Sequence, residues 1–126
     1  MINRFAAVSG WVLLAAIALA TLSPINLRPQ TGHAFLERFI AFAALGTAFS
    51  IGYPRRISFA VGVTVLSAIG LEAAQMIAPG RHARVVDAAE KLAGGAVGLL
   101  VGAACVMLIS HLRPQHPARI ADDPAP

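Results

Sequence analysis

Apolar positions along this chain fall into four long runs, each closed by a short polar or proline-containing break. The first runs from Phe5 to Leu22 and stops at Ser23-Pro24, where proline disfavours helix in the residue before it. The second, Ala34 to Tyr53, stops at Pro54-Arg55-Arg56, and the third, Ile57 to Ala78, stops at Pro79-Gly80, a pair that marks a turn. The fourth runs from Val85 to Ser110. Each run is about long enough, as a helix, to cross a hydrocarbon core of roughly 30 Å. The pattern predicts an all-α integral membrane protein: four transmembrane helices, over 5–22, 34–53, 57–78 and 85–110, in an antiparallel bundle with short loops. Residues 111–126, rich in Pro, His and Asp and without apolar periodicity, read as a disordered tail.

Composition strengthens this reading. Of 126 residues, 57% are hydrophobic and only 13% charged, about half the charged share of an ordinary soluble domain. Mean hydropathy is +0.71. The formal charge of +4 does not point to nucleic acid, because the basic residues sit in small groups between apolar runs rather than on one segment. Nine of the ten basic residues are Arg, a usage that fits a GC-rich bacterial gene. The lone Cys105 lies in an apolar run and reads as a packing residue. Arg4, the apolar stretch and Ala18-Leu19-Ala20 imitate a signal peptide, but the run is longer than a signal core and more spans follow, so it reads as a retained helix.

Loop charge sets an expected orientation. Arg4, Arg55, Arg56, Arg113 and Arg119 fall on one side; Arg28, Arg38, Arg81, Arg84 and Lys91 fall on the other. The second set neighbours polar residues inside the spans, whereas Tyr53-Pro54-Arg55-Arg56 reads as an interfacial aromatic beside cytoplasmic arginines. Both termini are therefore expected in the cytoplasm of a bacterial inner membrane, with the polar end facing outward.

That polar end carries the candidate chemistry. Glu72 and Gln75 lie within two turns of Pro79-Gly80-Arg81, and Asp87, Glu90 and Lys91 lie in the first turns of the fourth span. Ionisable residues inside a membrane segment cost roughly 2.5–3.5 kcal/mol each and persist mainly where paired or functional. From the helical rise, Glu72 and Lys91 reach similar depth, roughly 10 Å from the intervening turn. An ion pair between them is expected, since either charge alone would be strongly disfavoured in that setting. The same face of the fourth span continues through Gly94, Gly98 and Gly102, a small-residue stripe suited to close helix packing, and Ala41, Ala44 and Ala48 offer a comparable small face on the second span. Glu90, about 100° around the helix from Lys91, is expected to face Arg38 or Arg84.

Together these residues resemble the VanZ-like family of membrane proteins. The resemblance rests on Glu72-Ala-Ala-Gln75, Pro79-Gly80-Arg81, Asp87, Gly94 and Gly98. It extends to Thr21-Leu22-Ser23-Pro24, Arg28-Pro29, Glu37-Arg38-Phe39, Ala41-Phe42 and Leu45-Gly46, and so covers about residues 20 to 102. Where the family usually carries Asn four residues after the Asp, this chain has Lys91. The family takes its name from a protein linked to low-level resistance to the glycopeptide teicoplanin, and its members are small multi-helix membrane proteins; the resemblance implies a role in the cell envelope.

Three functions compete. The first is binding of an anionic membrane lipid or lipid-linked envelope precursor, with Arg28, Arg38, Arg81 and Arg84 gripping phosphate or carboxylate through the guanidinium fork, and Glu37, Glu72, Gln75, Asp87 and Lys91 completing the site. The second is a membrane enzyme with Glu72 or Asp87 as acid or base. Against it, Ser67 and His82 stand alone, without an activating partner in the sequence. The third is a structural, homo-oligomerising subunit or an ion path, the latter disfavoured because the polar residues occupy one end only. His33, His82, Glu72 and Asp87 lack metal-ligand spacing, and no metal, cofactor or nucleic acid is expected.

Overall fold

The structure, a computed structural model, describes residues 1–23, 32–77 and 84–112. Four helices follow one another: α1 (Ile2–Leu22), α2 (Ala34–Gly52), α3 (Ile57–Ile77) and α4 (Val85–Leu112). Each is long and apolar enough to cross a membrane. The chain is a multi-pass helical bundle.

The helix ends depart from the apolar runs by a few residues. α1 begins at Ile2 rather than Phe5, taking in Asn3 and Arg4, because polar side chains in a terminal turn can reach water without breaking the helix. It ends at Leu22, and the capping Ser23 is extended at φ −63°, ψ 147°, the geometry favoured before a proline. α2 ends at Gly52, with Tyr53 capping it through its N–H to the Phe49 carbonyl at 2.9 Å. A tight turn follows, closed by the Arg56 N–H on the Tyr53 carbonyl at 2.9 Å. α3 ends at Ile77, and Ala78 lies outside the described residues. α4 carries on through His111 and Leu112, two residues assigned from sequence to the tail. Residues 113–126 lie outside the described residues.

Consecutive helices run in opposite directions, but the most intimate contact joins α2 and α4, which run parallel. α1 packs on α2 and α3, and its backbone stays more than 8 Å from that of α4, Cα to Cα. Glycine explains the α2–α4 pairing. A Cβ at Gly94 would strike the backbone of Phe39, and one at Gly98 would strike that of Ala43. At Gly102 a Cβ would meet the Ser50 Cβ at 2.6 Å and the Thr47 carbonyl at 2.9 Å. Positions 39, 43 and 47 advance in step with 94, 98 and 102, so the stripe forms a parallel, in-register seam of backbone on backbone. From the other side, a Cβ at Gly46 would meet the Gly95 carbonyl at 2.5 Å. The Thr47 hydroxyl donates to Ala43 O at 2.8 Å in its own helix and to Gly98 O at 3.0 Å across the seam. Such small-residue contacts are how helices associate where lipid removes the hydrophobic drive. The alanine face expected on α2 is not the partner: Ala44 is exposed and Ala48 lies against Gly10 of α1. A stripe shows which face packs closely, not which helix receives it.

The fully buried apolar core is small: Phe42, Leu45, Phe49, Ala60, Ala68 and Leu71. Large side chains such as Leu66, Ile69, Leu100 and Met107 point outward, an arrangement suited to a lipid surround. Near the Tyr53–Arg56 turn, Trp11 stands edge-on to Phe49 at 5.3 Å and donates its indole N–H to the Tyr53 hydroxyl at 3.1 Å. Tyr53 meets Phe59 at 4.9 Å, so aromatic rings tie α1, α2 and α3 at this end. Ser50, 1% exposed, keeps a hydroxyl without a hydrogen-bond partner among the described residues, and nothing in the structure explains it.

Candidate functional site

The opposite end gathers the C-terminus of α1, the start of α2, the end of α3 and the start of α4. At its centre is the expected ion pair: Lys91 Nζ lies 2.6 Å from Glu72 Oε2. The two residues are 2% and 7% exposed. The second carboxylate oxygen, Oε1, accepts the backbone N–H of Arg84 at 3.0 Å. Arg84 immediately precedes α4, so a side chain from α3 satisfies one of the backbone donors that every helix start leaves open. Its negative charge also complements the positive end of the α4 dipole. Glu72 thus fixes both the start of α4 and the position of Lys91, about two turns further along.

A second cross-helix contact lies beside the first. Arg38 of α2 donates from Nη1 to Asp87 Oδ1 at 2.8 Å and to Glu90 Oε2 at 3.1 Å, both on α4. Asp87 and Glu90 are three residues apart and share a face, which lets one guanidinium meet both. These pairs are less enclosed than the first; the Arg38 side chain is 29% exposed. The expectation that Glu90 faces Arg38 or Arg84 resolves to Arg38. The second partner of Arg38, Asp87, was not expected.

The geometry changes the part assigned to these residues. Arg38 and Lys91 already face carboxylates, and besides His33 the described ionisable side chains at this end are three cations, Arg38, Arg84 and Lys91, against four carboxylates, Glu37, Glu72, Asp87 and Glu90. It is an internally compensated cluster, not a bare basic patch. Gln75 is half-buried and has no hydrogen-bond partner among the described residues. Arg84 is exposed. Arg28, Arg81 and His82 lie outside the described residues.

Beside the cluster, between α1 and α2, is a cavity of about 350 Å³. Ile17, Ala20, Ala34, Ala41 and Phe42 give it apolar walls, and Thr21, Glu37, Arg38 and Lys91 give it polar ones. Ala20, Ala34 and Glu37 are exposed at its rim. Glu72 and Asp87 do not line it. The two buried or half-buried cations therefore present part of their surface to the cavity while their carboxylate partners stand behind them. Both Arg38 contacts use Nη1, and a guanidinium has five N–H donors on three nitrogens. Sequence reasoning missed Thr21, Ala41 and Phe42 as cavity walls; small side chains at 20, 34 and 41 leave the space, but only the α1–α2 packing reveals it.

Catalytic arrangements are weak here. Ser67 returns its hydroxyl to the Val63 carbonyl at 2.6 Å, the usual bond of a helical serine rather than that of a nucleophile held by a base. Both oxygens of Glu72 are taken. Among the described residues no three His, Cys, Asp or Glu side chains gather as a metal site.

No protein-family model, no curated protein and no solved structure matches this chain.

Proposed function

We propose that this chain is a VanZ-like protein of the bacterial inner membrane that binds an anionic lipid or lipid-linked envelope precursor in the cavity between α1 and α2. One observation carries the reading: Arg38 and Lys91, drawn from two different helices, both line a cavity whose other walls, apart from Thr21 and the exposed rim residue Glu37, are apolar. A phosphate or carboxylate beside Arg38 and Lys91 gains charge-assisted hydrogen bonds, and a hydrocarbon chain suits Ile17, Ala41 and Phe42. Asp87, Glu90 and Glu72 hold the cations in place and offset their charge, which lowers the cost of burying them. With both termini cytoplasmic, the cavity faces the outer leaflet, where envelope precursors are used, and teicoplanin sensitivity is the cellular trait to follow.

The test is native mass spectrometry of the detergent-purified protein after exposure to a bacterial lipid extract, comparing wild type with Ala41→Phe. The substitution fills the cavity without removing a charge. The expected result is that wild type retains one more anionic lipid per chain than Ala41→Phe, with helix content and unfolding temperature nearly unchanged. Equal numbers of anionic lipids retained by both proteins would sink the reading and leave a structural, oligomerising role in its place.

A further inference from the structure

The Tyr53–Arg56 end has the opposite electrostatic design. Arg4, Arg55 and Arg56 are exposed there, and none forms an ion pair among the described residues. Every described carboxylate belongs to the other end. The turn holding the two adjacent arginines is short, begins with a proline of fixed φ, and is closed by a backbone hydrogen bond. Arg55 and Arg56 line a cleft of about 360 Å³ together with Asn3 and Tyr53.

Two mainly apolar clefts border this one, each sharing Pro54 with it. The first, about 160 Å³, lies between α1, α2 and α4 and shares Asn3 and Pro54 with the arginine cleft. It lies where the backbones of α1 and α4 stand apart, their Cα atoms more than 8 Å from one another. The second, about 300 Å³, lies between α2, α4 and the start of α3, on the far side of Pro54. Val106 of α4 borders both. A polar cleft with two uncompensated cations therefore sits over a pair of hydrocarbon-lined clefts that diverge around one proline.

We propose that this end is a second lipid site, independent of the α1–α2 cavity, which takes one anionic diacyl phospholipid. The phosphate lies on Arg55 and Arg56 with Asn3 beside it, and one acyl chain enters each flanking cleft. Charge complementarity selects the occupant: the cations lack a protein partner, the walls below them are apolar, and anionic headgroups at a membrane surface attract such arginines. The divergent clefts favour two chains over one.

The experiment is native mass spectrometry in detergent with three defined probes: dioleoyl phosphatidylglycerol, dioleoyl phosphatidylcholine and single-chain lysophosphatidylglycerol. It is run on full-length protein carrying Ala41→Phe, which closes the cavity at the other end. Phosphatidylglycerol is expected to bind more tightly than either other lipid. Arg55→Gln with Arg56→Gln should weaken it roughly thirtyfold, the effect of two cations near an anionic surface. Ala103→Phe, which fills the cleft on the α3 side, should also weaken it while leaving both arginines in place. Arg55→Lys with Arg56→Lys should keep most of the binding, since the charge remains. Circular dichroism of each variant identifies any that fails to fold, and the arginines, being exposed in a turn, are expected to fold as wild type. If phosphatidylglycerol and phosphatidylcholine bind alike, or if the Gln variant keeps wild-type affinity, the proposal is overturned and the arginines act only as topology charges.

Discussion

The two ends of this bundle use charge in contrasting ways. At the α3–α4 end, Lys91 and Arg38 are drawn into the protein and matched by Glu72, Asp87 and Glu90 within 2.6–3.1 Å. At the other end, Arg55 and Arg56 remain exposed and form no ion pair among the described residues. The difference follows from depth. A charge one to two turns inside a span cannot reach water cheaply and must find a partner in the protein, whereas a charge in an interfacial turn is solvated where it stands. Paired charges then become part of the fold, and unpaired ones stay available to the surroundings.

This contrast is broken most severely at Lys91. Lys91→Met leaves Glu72 buried with one oxygen unmatched, and unfolding in mixed detergent followed by circular dichroism should show a loss of about 3–5 kcal/mol. Adding Glu72→Gln should recover part of it, because the stranded charge disappears. Arg55→Gln with Arg56→Gln should change stability by less than about 0.5 kcal/mol. Comparable losses at the two ends would refute the depth argument.

A smaller effect is expected along the α2–α4 seam that brings Arg38 to Asp87. Gly98→Ala places a methyl against the Ala43 backbone and should cost about 1–3 kcal/mol as the helices separate. Gly62→Ala, where a Cβ meets nothing within 4 Å, should be neutral or stabilising by up to about 1 kcal/mol. The pair sharpens the comparison by separating a seam glycine from a lipid-facing one. Arg38→Gln should cost only about 1 kcal/mol, since its pairs are partly open to solvent. A loss as large as that of Lys91→Met would show that the Arg38 pairs are as enclosed as the central one.

Much of the fold was legible because lipid imposes simple rules. Four apolar runs bounded by Pro24, Pro54 and Pro79-Gly80 give four helices, and their boundaries moved by at most a few residues. The Glu72–Lys91 pair was legible because both residues lie on consecutive helices, where a short loop fixes relative depth. Arg38–Asp87 was not, because α2 and α4 are separated in sequence by a whole helix and nothing local states that they lie side by side. For the same reason the glycine stripe announced a close contact but not Gly46 and the Phe39–Thr47 backbone that receive it. The cavity is a further step away. Ala20, Ala34 and Ala41 are ordinary small residues in a membrane helix, and the space they leave exists only once α1 rests on α2 beside Lys91.

The most direct measurement of the central claim is headgroup photolabelling. An anionic phospholipid carrying a photoreactive group near its phosphate is mixed with the purified protein, irradiated, and the labelled peptides are mapped by mass spectrometry. The account predicts label at the polar end on residues 17–21 of α1 and 34–42 of α2, abolished by Ala41→Phe while label near Arg55 and Arg56 persists. Polar-end label that survives Ala41→Phe, or that spreads evenly over all four helices, would contradict it.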